Sequence, residues 1–192
     1  MLVLGSRLNE TPVMSLQTGT RLAKTDAPVI DPANLKVMAY KVDGPLLTED
    51  PSFLRTADIR EMGTVGMIID STDELIGLDD VIKIKELYDL QFRLIGMSVI
   101  DEAKRKIGKV TDYTIDTNSF VIQQLNVTGG LLKGLSETGK LIHRSQITEI
   151  NDNAIIVKSG AKKSVTPVMK AIRHDYVNPF RGVAGPQPET EG

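Results

Sequence analysis

Few side chains in this sequence could perform chemistry, and none has the neighbours that chemistry needs. There are two histidines, His143 and His174. A general base or a metal ligand requires an acid, a nucleophile or further ligands close by. Neither histidine has such company: His143 falls where a strand meets a turn, and His174 on the polar side of a tail helix. Cysteine is absent, which removes disulfides, thiol catalysis and thiolate-bound zinc together. Asp70, Asp73, Glu74, Asp79 and Asp80 form an acidic cluster. Its spacing lacks the central Gly and distal Glu of an EF-hand loop, so solvated linker carboxylates are expected. Gly129 to Gly134 reads Gly-Gly-Leu-Leu-Lys-Gly, without the Gly-Lys-Ser/Thr ending of a phosphate loop; an inter-strand loop is expected. Gly-x-Ser-x-Gly does not occur, so there is no nucleophile elbow. No catalytic residue, metal ligand or cofactor site is expected, and the chain reads as non-enzymatic. An enzyme with an unrecognised site is the weakest alternative.

Two features could bind instead. Lys104-Arg105-Lys106, with Lys109, is the densest basic patch. It could meet phosphate or an acidic partner, or be a charged hairpin turn that keeps a strand edge soluble. In the tail, Val168, Ala171, Ile172 and Tyr176 form one apolar stripe, extended by Phe180. Thr166-Pro167 gives a helix start and Asn178-Pro179 a stop. The stripe either packs back on the chain or docks in a partner's groove. From Gly182 onward the Gly/Pro/Glu-rich composition predicts disorder. Lys104, Arg105, Lys106, Ile172, Tyr176 and Phe180 are therefore the candidate partner-binding residues.

The elements that must carry these residues are strands, arranged as a repeat. Ile30 to Leu47 aligns without a gap on Ile115 to Leu132 at an offset of 85, with six identities. Ala57 to Met62 follows on Ser145 to Ile150 at an offset of 88, so a few extra residues fall in the second copy's Gly-rich loop, where insertions cost little. In that copy Ile107 to Ile115 is rich in β-branched residues and closes on the turn Asp116-Thr117-Asn118-Ser119. Phe120 to Val127, Lys140 to His143, Ile147 to Ile150 and Ala154 to Lys158 follow. About six short strands in roughly 70 residues suggest a small closed barrel. Between the copies, Asp79 to Leu90 has helical spacing, although Val81 to Lys85 also alternates like a strand.

Composition sets the class. The chain has 192 residues, 41% hydrophobic and 25% charged but only 4% aromatic, with no Trp, which implies a globular core of aliphatic side chains. Leu2-Val3-Leu4 is too short for a signal-peptide core, and no stretch approaches the roughly 18 apolar residues of a membrane helix. A soluble, cytoplasmic protein is expected. Net charge is −2, split as −6 over residues 1–90 and +2 over each of 91–160 and 161–192. A nucleic-acid binder is usually far more basic.

The second copy resembles the PRC-barrel family, named from the photosynthetic reaction centre H subunit and shared with a ribosome maturation factor. The resemblance rests on Ile107-Gly108-Lys109-Val110, Asp112, Ile115-Asp116, Phe120-Val121-Ile122, Leu125, Val127 and Gly129, and on Ile142 through Ile147. It covers residues 93–160 well and 12–72 less well, since Ala23 stands at the position of Gly108 and Thr25 at that of Val110. The expected fold is all-β: tandem PRC-like barrels over 1–72 and 93–160, a short helical linker over 73–92, and a C-terminal helix and tail over 161–192. The resemblance implies a protein-binding or assembly adaptor with a protein partner and no cofactor. It also allows a ribosome- or RNA-associated maturation factor, and a homo-oligomer.

Overall fold

The computed structural model describes residues 1–129 and 139–159. Two long hairpins organise it. In one, β3 (Arg21–Asp31) returns as β4 (Lys36–Asp43); in the other, β10 (Lys106–Asp116) returns as β11 (Val121–Thr128). Each turn opens on an aspartate whose short carboxylate reaches back to the turn: Asp31 accepts from the Ala33 amide at 3.0 Å, and Asp116 from the Ser119 hydroxyl at 2.8 Å. Each turn closes on an apolar residue in the left-handed region, Leu35 at φ 54° and Phe120 at φ 55°. That conformation costs a residue with a side chain about 1–2 kcal/mol. Both side chains are buried, and the area they remove from water offsets the strain.

The short strands flank the hairpins in matching order. β2 (Pro12–Ser15) pairs antiparallel with β3 and parallel with β7 (Gly66–Ile69), which pairs with β6 (Glu61–Gly63). Around β10, β9 (Ser98–Asp101), β14 (Ala154–Val157) and β13 (Ile147–Ile150) repeat those pairings, parallel contact included. β5 (Ser52–Arg55) lies on β4 and β12 (Lys140–His143) on β11, each followed by one 3₁₀ turn.

The two halves meet at a seam. The Val37 amide donates to the Phe120 carbonyl at 2.9 Å, and the Ile122 amide donates to the Leu35 carbonyl at 2.8 Å. These bonds exchange equivalent positions, as across a two-fold axis. Outward from the seam the strands run β4-β3-β2-β7-β6 on one side and β11-β10-β9-β14-β13 on the other, in one continuous sheet. One core spans both sides, with Val13, Tyr40 and Leu54 joined to Val99, Tyr113 and Ile155. The chain's first strand, β1 (Leu2–Leu4), crosses the seam and pairs with β10, Val3 opposite Ile115.

The spacing that predicts a helix over 79–90 corresponds to α1 (Ile82–Asp89). Its Ile84 and Leu87, three residues apart and so on one helical face, pack on Val29, Ala39 and Phe53 of the sheet's outer side. Tyr88 meets Phe53 edge-on at 5.1 Å. Asp79 and Asp80 precede the helix: Asp79 pairs with Lys85, and Asp80 accepts from the Gly77 amide at the end of β8 (Leu75–Gly77), which lies on β5. The helix expected over the tail lies outside the described residues.

Candidate interaction surface

The basic patch is the turn between β9 and β10. Lys104 adopts φ 60°, and its amide donates to the Asp101 carbonyl at 2.8 Å. Asp101, a buried carboxylate, accepts from the Arg105 amide at 2.9 Å and from Arg105 Nε at 2.7 Å. The Arg105 backbone bond, joined by its guanidinium, holds the Asp101 carboxyl below its usual range. A carboxylate removed from water needs such partners. All three cations are exposed, but Arg105 is paired within the turn through Asp101 and fixes its shape. In the first half the corresponding turn is less basic: Thr18, Gly19 at φ 66° and Thr20 carry no charge, Ser15 stands in the place of Asp101, and the one cation is Arg21, in the place of Lys106.

The remaining sequence candidates separate rather than converge. His143 Nδ1 lies 2.8 Å from the Ser145 hydroxyl and accepts from the Ser145 amide at 3.2 Å, capping a 3₁₀ turn. Asp70 is paired with Arg60, which lowers its carboxyl pKa, and Glu74 forms a capping box with Ser71. Each carboxylate of the acidic cluster except Asp73 thus has its own structural partner. Among the described residues no His, Asp and Glu group of three is placed to hold a metal ion. Gly130 to Gly134, His174, Ile172, Tyr176 and Phe180 lie outside the described residues.

Two of the shallow cavities among the described residues lie beside polar side chains. One of about 330 Å³ is lined by Arg21, Ala23, Lys24, Asp43 and Gly44, the other of about 320 Å³ by Leu47, Glu49, Ser52, Thr72 and Asp73. The first mixes both charge signs on an open rim, with Lys24 drawn to Glu10 at 2.6 Å. The Tyr40 hydroxyl is buried without a hydrogen-bond partner among the described residues and lines neither cavity. Burial raises its pKa well above the ordinary phenol value, so it stays protonated at any physiological pH.

Sequence reading passed over one surface. Leu2, Leu4 and Leu141 are exposed on β1 and β12. Leu4 is paired with Thr114 and Leu141 with Asn126, next to Gln124. The signal was available at Leu141, which aligns on buried Phe53 at the offset of 88. The other two depended on a strand pairing across more than 100 residues, which no local pattern encodes.

Fold and surface together define a mostly β protein with one α-helix among its described residues, whose exposed features suit binding. A PRC-barrel domain is found at residues 88–164, as the match to that family's model shows, and such domains mediate protein interactions in general terms. No curated protein matches the chain. No helix among the described residues is long and apolar enough to cross a membrane.

Proposed function

We propose that this chain is a non-enzymatic adaptor for protein assembly, built from two PRC-like barrels of which the first has diverged. The units would span 1–72 and 93–160, joined by 73–92 and followed by 161–192. One observation carries the reading: the strand order and pairings of the matched segment recur, element for element, from Pro12 to Ile69. Two related frames then present unlike surfaces: Lys104, Arg105 and Lys106 at the turn of one, against Gly19, Thr20 and Arg21 at the turn of the other. Lys104 and Lys106 are the residues proposed to meet an acidic protein partner, with Arg105 holding their turn in shape. A chain without cysteine suits a reducing, cytoplasmic setting.

Affinity capture with the full chain, set against Lys104→Glu/Lys106→Glu, tests the proposal. Reversing exposed charges at an interface slows association and changes its salt dependence. The expected result is loss of the main protein partners, by about tenfold at low salt, with capture indifferent to RNase. Unchanged capture would remove the basic turn from the site. Recovery of ribosomal proteins and rRNA, abolished by RNase, would replace the adaptor reading with that of a ribosome-associated factor.

A further inference from the structure

We propose that residues 163–177 of this chain cover the outer sheet face of the second half, as β8 and α1 cover that of the first. In the first half the segment after β7 does two things. β8 pairs with the outer edge of β5, and α1 then seals Val29, Ala39 and Phe53. In the second half both places are open among the described residues. β12 pairs only with β11, and Leu141, in the position of fully buried Phe53, is 42% exposed. Leu4, on the neighbouring strand and opposite Thr114, adds apolar surface to the same side.

The occupant is identified by its distance along the chain and by its residues. β8 begins six residues after β7 ends and α1 thirteen after it; counted from the end of β14, those positions are 163 and 170. At this offset of 88, Ile84 aligns with Ile172, Lys85 with Arg173 and Tyr88 with Tyr176. The departures compensate one another. Val29 and Ala39 become Thr114 and Gln124, and Leu87, buried in one cluster with them, becomes Asp175. A polar position on the segment faces polar positions on the sheet, while Ile172 and Tyr176 retain Leu141. Burying a carboxylate on an apolar face would be costly; opposite a side-chain amide and a hydroxyl it finds donors. This assigns Ile172 and Tyr176 to the chain's own sheet and leaves the basic turn open to a partner.

The absence of native cysteine permits a direct test in the full chain. Leu141→Cys/Tyr176→Cys should close an intramolecular disulfide in dilute, mildly oxidising solution. It should do so at least about tenfold faster than Leu16→Cys/Tyr176→Cys, whose first site lies on the other half, because docking raises effective concentration. Adding Ile172→Asp should return the rate to that of the control pair. Equal rates for the two pairs would overturn the proposal, and closure only between molecules would give the face to a second copy. Hydrogen exchange reads the same contact without cysteines. Ile172→Asp/Tyr176→Asp should speed exchange of β12 amides by about tenfold or more relative to the parent chain, and unchanged exchange would also overturn it.

Discussion

Gly108 and Ala23 occupy equivalent strand positions, and their difference shows how the two halves reach the same backbone by separate routes. A Cβ at Gly108 would come within 2.2 Å of the Thr128 carbonyl oxygen and 2.9 Å of Val127 Cγ1. In the first half the crowded glycine is Gly44, just past the end of β4: a Cβ there would meet the Leu22 carbonyl oxygen at 2.6 Å and Ala23 Cα at 2.9 Å, whereas one at its second-half equivalent, Gly129, would meet nothing nearer than 3.6 Å. Each half thus has one glycine that the close approach of its two strands leaves no room to replace, Gly108 on β10 and Gly44 after β4. Gly108→Ala and Gly44→Ala should each destabilise by about 1–3 kcal/mol, since the obstructing atoms include backbone and cannot rotate away. Urea titrations check this. A variant within about 0.5 kcal/mol of the parent, the scatter of ordinary surface changes, would mean that the strands move apart freely. Thr25, at the position of Val110, is a second substitution with a structural reason. Its buried hydroxyl donates to the Leu8 carbonyl at 2.5 Å and accepts from the Thr11 amide at 3.0 Å, tying the loop before β2 to β3.

At the scale of elements, α1 is a short helix held by what it covers. Eight residues form a stable helix in water only with tertiary support, and here that support is Ile84 and Leu87 against Val29, Ala39 and Phe53. Leu87→Ala should cost about 2–4 kcal/mol, as other buried leucines do. Exposed Ile82→Ala should stay within about 0.5 kcal/mol; thermal melts of both separate packing from helix propensity. The helix was legible in the sequence because Ile84, Leu87 and Tyr88 share one face, but its start was not. Asp79 and Asp80 resemble first-turn carboxylates, yet Asp80 satisfies the Gly77 amide and Asp79 pairs with Lys85. The hairpins were legible too, since Asp31 and Asp116 open turns between β-branched runs. β1 was not: three residues carry no periodicity, and their partner lies at Thr114 to Asp116. Of the candidate surface, the basic turn was visible as a cluster of charge. The division of labour within it was not, because Asp101 and Arg105 gain their roles from burial and from the geometry of the turn.

For the whole molecule, the seam decides whether the two halves behave as separate domains or as one. Three features tie them: the reciprocal bonds of Val37 with Phe120 and of Ile122 with Leu35, the single core, and β1 crossing to β10. Phe120 stands at the centre of this arrangement, buried and edge-on to Tyr40 of the other half at 6.5 Å. Independent domains would melt independently and show two transitions. A shared core and sheet instead make the loss of one half expose the apolar face of the other, which couples their unfolding. Calorimetry should therefore give one transition whose van't Hoff and calorimetric enthalpies agree. Phe120→Ala removes a buried ring while keeping a left-handed residue with a side chain. It should cost about 3–5 kcal/mol and lower Tm by on the order of 10 °C. Because the ring belongs to both halves, the transition should shift as a whole. Two resolved transitions in the parent chain, or a split one in Phe120→Ala, would show that the seam is a contact between domains and not part of a common core.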